Sequence, residues 1–551
     1  MEKTGKKLEK TYIPKKFSSI REMMEMAVAD AGNQTAYRYK GKDDEIISVT
    51  FESFYNRTQW LGAALTSLGF GNAHIACVAD NSFPWIVTYL TVLQSAGVFV
   101  PVDRELPAPE MLHVLKDSGA TVIFFDEKHE EKIRELRDSL PDVRLFIGFD
   151  LENDDGDFRS YRKLIDLGKT LDLSEFMSQK SDENDLKLLV YTSGTTGMAK
   201  GVMLTEHNIV SGVYYGLQVS IPGRVGLSVL PYHHTYEAVC DLLVAIHFHS
   251  TLCINDSIKN VRKNLMIFKP DYVYLVPAFT EAFYNNIMKN IKKNGKEKTL
   301  KRGIRISNAL CKVGIDRRRE LFHDIHEAFG GNLNRIVCGG APVRPEIAQF
   351  FTDIGITLSV GYGITECSPL VSVGKMAKYT SKTVGFRLPC LEWRIDEPNE
   401  EGIGEICVKG DVVMKGYYNQ PEKTAEALKD GWFYTGDYGY LTPDDQLVIT
   451  GRKKNIIILA NGKNIYPEEL ENYIMELGYV TEVIVRGIKN EHGEETGLLA
   501  EVYCADEKYD SAKVAADIKE VFKDIPSYKH ISKVVVRDEP FPKTTTNKIK
   551  R

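Results

Sequence analysis

Helix-like and strand-like patterns alternate along about the first 400 residues of this 551-residue chain. This alternation limits the folds that the chain can adopt. Residues 54–68 and 111–118 have the apolar spacing of helices, whereas 74–79 and 121–125 read as short buried strands. Helices that alternate with strands form largely parallel sheets with helices on their faces. We therefore predict an α/β fold with a large N-terminal domain, residues 1–450, of mostly parallel sheets flanked by helices.

Short strand-like pieces and turns replace this alternation further along the chain. The pieces 404–408, 431–437 and 446–449 indicate a β-rich subdomain at the end of the large domain. Beyond the charged residues 451–454, the chain reads as strand, helix, strand, strand, helix and strand. We predict that 455–551 form a small α+β C-terminal domain.

The composition is that of an ordinary globular protein and excludes some classes. Hydrophobic residues make up 43% and charged residues 26% of the chain, and the formal net charge is -6 at pH 7. This charge argues against a general nucleic-acid-binding protein. The 9 cysteines include no C-x-x-C pair, which fits a reducing compartment better than a disulfide or zinc framework. Residues 1–7 are polar and lead into no apolar run, so we expect a cytoplasmic protein without a secretory signal.

One uncharged stretch, residues 81–102, is long enough to cross a bilayer. It contains Pro84, Gln94 and Gly97, which do not suit a lipid-facing helix. We predict instead a capped, buried helix that stops at Gly97, followed by a strand near 98–102.

A loop rich in glycine and hydroxyl side chains follows the apolar run at 186–190. Small residues let backbone amides turn toward an anion, and the hydroxyls of Ser193, Thr195 and Thr196 add donors. Lys200 adds a mobile positive charge. These residue types in this order favour a phosphate-binding loop.

Two other interpretations of this loop are available. Loops of such composition are most often only flexible turns. The nucleotidase P-loop needs G-x-x-x-x-G-K-[ST], and that pattern fails because Ala199 stands five residues after Gly194.

Five further motifs follow the loop along the chain. In order, they are Gly339-Gly-Ala-Pro342, Gly361-Tyr-Gly-Ile-Thr-Glu366, Tyr434-Thr-Gly-Asp437, Gly451-Arg452 and Pro542-Lys-Thr-Thr-Thr-Asn-Lys548. Together with the loop, this ordered set closely resembles the adenylate-forming (AMP-binding) superfamily of acyl-CoA synthetases, adenylation domains and luciferases. The resemblance runs from about residue 15 to the last residue. Each motif is weak alone, but the ordered set is highly specific.

The resemblance implies a site for ATP and Mg²⁺. Tyr362 would stack on adenine, Thr365 would touch the α-phosphate, and Glu366 would hold Mg²⁺. Asp437 would accept the ribose hydroxyls, with Arg452 beside it. Taken singly, Tyr362 and Glu366 could equally be a packed aromatic and a solvated carboxylate. The residues implied for ATP are Thr192, Ser193, Gly194, Thr195, Thr196, Gly197, Lys200, Gly340, Ala341, Pro342, Gly361, Tyr362, Gly363, Thr365, Asp437 and Arg452.

The resemblance also implies roles for C-terminal residues. Lys548 would offset the negative charge that builds during adenylation, although a lysine so near the terminus could simply be frayed. Asn547 stands where the family usually has glycine, and asparagine tolerates positive φ better than other residues. The resemblance further implies that 451–454 form a hinge, with Lys454 as the hinge residue, and that the small domain is mobile. Gly462 and Lys463 would line the tunnel for the acceptor's pantetheine arm.

The acid substrate is less well indicated. His234 matches the family's Pro-x-x-His motif near the acyl tunnel, whereas we expect His247 and His249 to have packing roles rather than to bind zinc. Residues 289–319 carry twelve basic and two acidic side chains. A solvated helical face is the ordinary interpretation of such a run, and contact with an anionic membrane or substrate is the alternative.

The resemblance thus implies an ATP-dependent acid–thiol ligase. A carboxylic acid, which we expect to be a medium- or long-chain fatty acid, would form acyl-AMP and then a thioester of coenzyme A. Acyl carrier protein as acceptor, or an aryl or other acid as substrate, remain alternatives within the family. Outside catalysis, the chain could be a nucleotide-binding regulator or a membrane-surface scaffold that retains the fold.

Overall fold

The structure is a computed structural model that describes residues 12–192, 199–374, 383–460, 463–491, 493, 495–504, 509–543 and 549–551. The chain divides into two compact units. The first comprises Met1–Glu392 and Lys409–Asp430, and the second comprises Trp393–Val408 and Gly431–Arg551. Most of the predicted β-rich segment therefore groups with the C-terminal residues. The boundary at residue 450 and the hinge at 451–454 remain predictions.

One mixed sheet of the first unit has parallel strands at its centre. Its strands, in spatial order, are Phe386–Arg387, Leu370–Val373, Thr357–Gly363, Arg335–Cys338, Tyr272–Leu275, Val225–Ser228, Thr251–Ile254, Thr35–Lys40 and Ile46–Thr50. The run from Thr357–Gly363 to Thr35–Lys40 is parallel throughout. The outer strands join it antiparallel.

A second sheet of this unit is built in the same way. Its strands, in spatial order, are Phe158–Ser160, Leu145–Gly148, Val122–Phe125, His74–Val78, Val98–Pro101, Leu186–Thr192, Lys200–Thr205 and Gly416–Tyr417. The first six are parallel and the last two are antiparallel. The prediction of an α/β fold with mostly parallel sheets is confirmed.

Helices connect these strands. In the first unit they are Ile20–Ala31, Phe51–Ser67, Phe83–Leu93, Ala108–Asp117, Glu130–Leu136, Tyr161–Gly168, Ser174–Ser178, Glu206–Val219, Thr235–Glu237, Val244–Phe248, Val261–Phe268, Pro277–Lys293, Glu297–Lys312, Arg318–Leu321, His323–Glu327, Pro345–Asp353 and Pro421–Ala427. Short polar side chains begin several of them. The hydroxyls of Ser19, Thr50 and Ser82 accept backbone N–H bonds inside the first turn, and Thr205 forms a capping box with Asn208.

The uncharged stretch at 81–102 is a buried helix and strand, as predicted. Ser82 caps Phe83–Leu93, whose side chains are almost all buried, and Val98–Pro101 lies inside the second sheet. The helix ends at Leu93, four residues before the predicted stop at Gly97, because the amide of Ser95 bonds back only three residues, to Val92, and the regular series of helical bonds stops at Gln94. None of the helices in the described ranges is long and apolar enough to cross a membrane.

Most of the remaining strands lie in the second unit, together with two helices of more than one turn within the described residues; the two-residue strand Leu428–Lys429 falls in the first unit. Leu391–Asp396, Gly404–Gly410, Trp432–Leu441 and Leu447–Arg452 form one sheet. Ile457–Ile458 pairs with Asn464–Ile465. A further sheet contains Val480–Lys489, Glu495–Cys504 and Lys533–Arg537, and the helices Pro467–Met475 and Ser511–Val521 pack against it around a shared apolar core. The order of elements after residue 455 agrees with the prediction except at its start, where two short paired strands, and not one, precede the first helix.

Candidate active site

Two antiparallel strands hold the ends of the predicted phosphate-binding loop. Leu186–Thr192 and Lys200–Thr205 pair so that Thr192 lies opposite Lys200. The residues between them, including Ser193, Gly194, Thr195, Thr196 and Gly197, lie outside the described residues. The predicted phosphate donors in the loop therefore remain a prediction, while Thr192 and Lys200 stand at its two ends.

Lys200 and Glu366 meet on either side of one tyrosine that the sequence analysis missed. The ammonium group of Lys200 lies 4.8 Å from the ring centre of Tyr417. The Tyr417 hydroxyl donates a 2.9 Å hydrogen bond to Glu366 Oε1. Burial, with the neighbouring Glu366 charge, holds the pKa of Tyr417 well above its usual value, so its hydroxyl stays protonated and donating. Tyr417 is therefore the physical link between two residues predicted to handle phosphate and metal.

Glu366 is fixed through its backbone as well as its side chain. It lies in the short helical turn Thr365–Cys367, and its carbonyl accepts a 2.8 Å bond from the amide of Met414. A single fixed carboxylate fits Mg²⁺, which is commonly held by one or two carboxylates together with water and substrate phosphates. Glu366 would supply the carboxylate oxygen, and Thr365 precedes it as predicted.

Several predicted nucleotide-binding residues come together at the ends of parallel strands. Cys338 pairs with Val360, so Gly339 and Gly340 lie beside the segment Gly361–Gly363. A Cβ at Gly363 would lie 2.1 Å from the carbonyl oxygen of Pro369, so only glycine fits there. Gly340 has φ of +83° and is exposed.

Tyr362 sits at the inner side of this edge, and two other predicted residues lie outside. Tyr362 is 8% exposed, whereas Ala341 and Pro342 are exposed. Ligands of open α/β sheets bind outside the carboxyl ends of the strands, which is where these residues gather.

An apolar cavity opens beside Tyr362. Its walls include Gly212, Gly216, Tyr236, Cys240, Val244 and Leu370. Gly216 leaves space in it, because a Cβ there would meet nothing within 4 Å. A Cβ at Gly212 would lie 2.8 Å from the carbonyl oxygen of Ser368. The sequence analysis did not identify this cavity.

His234, the predicted acyl-side histidine, stands two residues before Tyr236, which lines the cavity. His234 immediately precedes the turn Thr235–Glu237, and its ring lies 4.2 Å from the ring of His233. Burial lowers the pKa of His233 well below its usual value, so this ring is neutral. His247 packs against Phe17, with Nε2 2.9 Å from the carbonyl oxygen of Lys15. The packing role expected for His247 is confirmed.

A buried acidic pair lies behind the cavity wall, with Glu237 at the end of the turn Thr235–Glu237 and Asp241 on the π-helical turn Ala238–Leu243 that follows it. Glu237 is 0% and Asp241 is 1% exposed. Ser228 Oγ donates a 2.6 Å bond to Glu237 Oε1, whereas both oxygens of Asp241 lack a well-formed hydrogen bond from the described residues. Burial raises the pKa of both carboxyl groups, that of Asp241 to about 7. Cys240 and Val244, which line the cavity, flank Asp241 on the same stretch.

The residues predicted to hold the ribose pair with each other in the second unit. Asp437 and Arg452 lie opposite each other on neighbouring strands, and Arg452 Nε is 2.9 Å from Asp437 Oδ1. The Asp437 side chain is 4% exposed and that of Arg452 is 48% exposed. No local sequence pattern predicts this ion pair. It fixes the Asp437 carboxylate, which is expected to accept the ribose hydroxyls.

The predicted hinge and tunnel residues follow on this unit. Lys454 lies in the turn Lys453–Asn455, where burial and then Arg452 lower its pKa. The ammonium group of Lys463 lies 5.8 Å from the ring centre of Tyr528. Gly462, Asn547 and Lys548 lie outside the described residues. Their roles remain predictions.

Comparison with known proteins identifies the family. The model of the family described as AMP-binding enzyme matches residues 24–418, which is more than half of the chain. The chain belongs to the AMP-binding enzyme family. Within it, this AMP-binding enzyme falls in the acyl-CoA synthetase branch of AMP-forming ligases.

Its relatives include long-chain-fatty-acid–CoA ligases. FadD15 of Mycobacterium bovis is 30% identical over 80% of this chain and 75% of its own length. Ligase 1 of Homo sapiens is 28% identical over 80% of this chain and 67% of its own length.

Solved structures share the fold of this AMP-binding enzyme. The anthranilate CoA ligase AuaEII, in complex with anthranoyl-AMP, has a TM-score of 0.76 at 17% identity, over 98% of this chain and 96% of its own. A fatty acyl CoA synthetase of Mycobacterium tuberculosis has a TM-score of 0.66 at 21% identity, over 97% of each chain. These likenesses concern the fold.

Proposed function

We propose that this AMP-binding enzyme activates a medium- or long-chain fatty acid with ATP and transfers it to the thiol of coenzyme A. The cavity beside Tyr362 is the observation that carries the choice of acid. No charged side chain lines it in the described part of the chain, and a helix glycine, Gly216, leaves room in it. Such a cavity favours an uncharged aliphatic tail over a second carboxylate or a polar ring. The long-chain-fatty-acid–CoA ligases among the relatives support the same substrate class.

In the first step, the acid's carboxylate attacks the α-phosphate of ATP, the bond to the β-phosphate breaks, and pyrophosphate leaves with its electron pair. Lys200 and Lys548 offset the charge that develops during this attack. Mg²⁺ held by Glu366 would supply further electrostatic stabilisation to the phosphates. Tyr417 keeps the carboxylate of Glu366 in place.

In the second step, the acceptor thiol attacks the acyl carbonyl of acyl-AMP, and AMP leaves. The small domain turns about Lys454 between the two steps, so that Lys548 gives way to the thiol's path. Gly462 and Lys463 line that path. An acyl carrier protein presents the same type of thiol, and its use is an outcome that the experiment below distinguishes.

Two further features accompany this proposal. The 9 cysteines are all free, which supports a reducing compartment such as the cytoplasm. The basic run at 289–319 supports peripheral contact with a membrane, where long-chain acids concentrate.

The test is product analysis with a graded set of acids. Purified protein, ATP and Mg²⁺ are incubated with either coenzyme A or acyl carrier protein as acceptor. The acids are octanoate, palmitate or oleate, with benzoate and malonate as controls, and thioesters are detected by mass spectrometry. We expect fatty acyl-CoA and AMP from the fatty acids only. Preference for benzoate would contradict the fatty-acid assignment. Thioester formed on carrier protein alone would show that carrier protein, and not coenzyme A, is the acceptor. No thioester with any acid would refute ligase activity.

A further inference from the structure

The chain is joined to itself on either side of the segment 544–548, which includes the lysine predicted to act in adenylation. The segment lies outside the described residues, whereas Lys543 before it and Ile549 after it are described. Lys543 and Ile549 form an antiparallel β-bridge, and the amide of Lys550 donates a 2.8 Å bond to the carbonyl of Pro542. The chain therefore enters and leaves the segment at one place in the second unit.

A buried carboxylate holds the chain just before the segment. Glu482, on the strand Val480–Lys489, has a side chain that is 7% exposed. Its Oε1 lies 2.7 Å from Nζ of Lys543, and its Oε2 accepts a 2.7 Å bond from the amide of Phe541. Both oxygens of this carboxylate therefore fix the chain that leads into the segment.

A second carboxylate holds the chain just after the segment. Glu471, on the helix Pro467–Met475, accepts a 2.7 Å bond from the amide of Val485 and a further bond from Nη2 of Arg551. Glu468, about one turn earlier, has Oε1 3.5 Å from the same nitrogen of Arg551. The side chains of Glu471 and Arg551 are 13% and 27% exposed, so solvent screens their attraction only in part. Arg551 is thereby fixed to this helix.

The two ion pairs lie outside the apolar core of this part of the chain. That core, as far as the structure describes it, contains residues from Ile457 to Val536 and none from 541 onward. A buried ion pair adds little net stability, because the desolvation of its charges offsets their attraction, but it can fix one geometry. The pairs made by Glu482 and Glu471 therefore favour a role in holding the chain in place over a role in folding.

We propose that Arg551 and Lys543 are positioning residues for Lys548. Through their carboxylate partners they fix both ends of the segment, so Lys548 has fewer positions open to it than it would have on a free chain. This positioning rests on the proposed function, in which Lys548 offsets the negative charge that develops during adenylation. An ammonium group has this effect only at the correct place, and a displacement of about 1 Å can cost about a hundredfold in rate.

The experiment measures single-turnover formation of acyl-AMP by the full-length protein, from Mg-ATP and the acid preferred in the product analysis. Burial raises the pKa of Glu471 to about 7, although Arg551 lowers it, so the reactions are run at pH 8, where this carboxyl group is mostly ionised. The variants are Arg551→Ala, Lys543→Ala and Glu471→Gln. The matched control is Arg486→Ala, which removes a 2.8 Å ion pair with Glu501 on the same sheet and leaves the ends of the segment in place.

Each of the three variants should form acyl-AMP about tenfold more slowly at saturating substrate, with no change in the ATP concentration that gives half the maximal rate. Thioester formation from supplied acyl-AMP should stay at the wild-type rate, and the control should match the wild type in both steps. Arg551→Lys keeps the charge and should recover part of the loss. Equal loss in both steps would indicate a merely structural role and overturn the proposal, as would a wild-type rate of acyl-AMP formation in Arg551→Ala or Lys543→Ala.

Combination with Lys548→Ala shows whether Arg551 acts through this lysine. Arg551→Ala should add no further loss to that of Lys548→Ala, whereas an arginine that bound the phosphates directly would add one. Glu471→Gln tests the same point, because it removes the anchor and keeps the cation. A slower rate in this variant supports positioning, and a rate equal to or above that of the wild type would overturn it.

The same proteins separate this positioning from the proposed function. If Lys548→Ala formed acyl-AMP at the wild-type rate, the proposed catalytic role of Lys548 would be wrong and the positioning would fall with it. A slow Lys548→Ala beside a fully active Arg551→Ala would refute the positioning alone.

Discussion

Replacement of Asp241 by asparagine should stabilise the first unit at neutral and alkaline pH. Asp241 is 1% exposed, and burial raises its pKa from 3.8 to about 7, although Tyr272 and Glu237 partly lower it. Asparagine has nearly the same shape as the protonated acid and carries no charge. The substitution therefore removes the free-energy cost of either ionising this buried site or keeping it protonated.

The direction follows from the raised pKa. Between pH 3.8 and about 7 the folded protein holds a proton that the unfolded chain has released. The free energy of unfolding of the wild type therefore falls as pH rises through this window, and the contribution of Asp241 becomes constant above it.

The magnitude follows from the same two values. A difference of about 3 pKa units corresponds to about 4 kcal/mol above pH 7, of which about 1.5 kcal/mol is already present at pH 5. The gain from Asp241→Asn should thus increase by about 2 to 3 kcal/mol between pH 5 and pH 8. Any cost of the new amide is the same at both pH values and cancels in this difference.

Urea denaturation at pH 5 and pH 8 measures the effect. Asp256→Asn is the matched control, because the pKa of Asp256 is lowered and the group is ionised in both states across this range. Its cost should be equal at the two pH values. Glu237→Gln should change stability in the same direction as Asp241→Asn, since burial and Asp241 raise the pKa of Glu237. If Asp241→Asn and Asp256→Asn showed the same dependence on pH, the account of the buried pair would be refuted.

Three substitutions test the proposed site. Tyr417→Phe removes the 2.9 Å bond to Glu366 Oε1 and keeps the ring beneath Lys200. The apparent KM for Mg-ATP should therefore rise about tenfold. An unchanged dependence on Mg²⁺ would contradict the positioning role of Tyr417. Gly216→Leu fills open space in the cavity. The kcat/KM for oleate should fall at least about tenfold, while the kcat/KM for octanoate is retained. Equal loss for both acids would indicate general damage to the protein. Lys454→Pro restricts the hinge and should slow thioester formation more than adenylation, an expectation that equal loss of both steps would contradict.

Local sequence signals predicted the α/β fold class and several of its strands and helices. Strands such as Val98–Pro101 and Val122–Phe125 are continuous apolar runs, because parallel strands are buried on both faces. Ser82 marks the start of the helix Phe83–Leu93, since its hydroxyl caps the first turn. The predicted end of that helix was wrong by four residues, because the amide of Ser95 turns back to Val92 and stops the helical bonds before Gly97 is reached.

Contacts between distant residues could not be predicted in this way. Tyr417 meets Glu366 across 51 positions of sequence, and nothing around Tyr417 marks it as a partner. The π-helical turn Ala238–Leu243 reads as an ordinary apolar helix, so its buried acidic pair was missed. The cavity depends on the packing of glycines such as Gly216 against other segments. The ordered motifs predict the positions of the site, and the structure adds contacts that hold some of these residues, such as the bond from Tyr417 to Glu366.

The residues that the motifs predict for the site occur in both units of the chain. Tyr362 and Glu366 lie in the first unit, whereas Asp437, Arg452 and Lys454 lie in the second. The family resemblance predicts a hinge at Lys454, which remains a prediction. A catalytic role for Lys548, at the far end of the second unit, follows from its motif and remains a prediction.

Exchange of labelled pyrophosphate into ATP, with and without added fatty acid, tests the central claim most directly. The account predicts exchange that requires the acid and Mg²⁺, that is lost in Lys548→Ala, and that is accompanied in this variant by normal thioester formation from supplied acyl-AMP. Exchange that ignored the acid, or that persisted at the wild-type rate in Lys548→Ala, would contradict it.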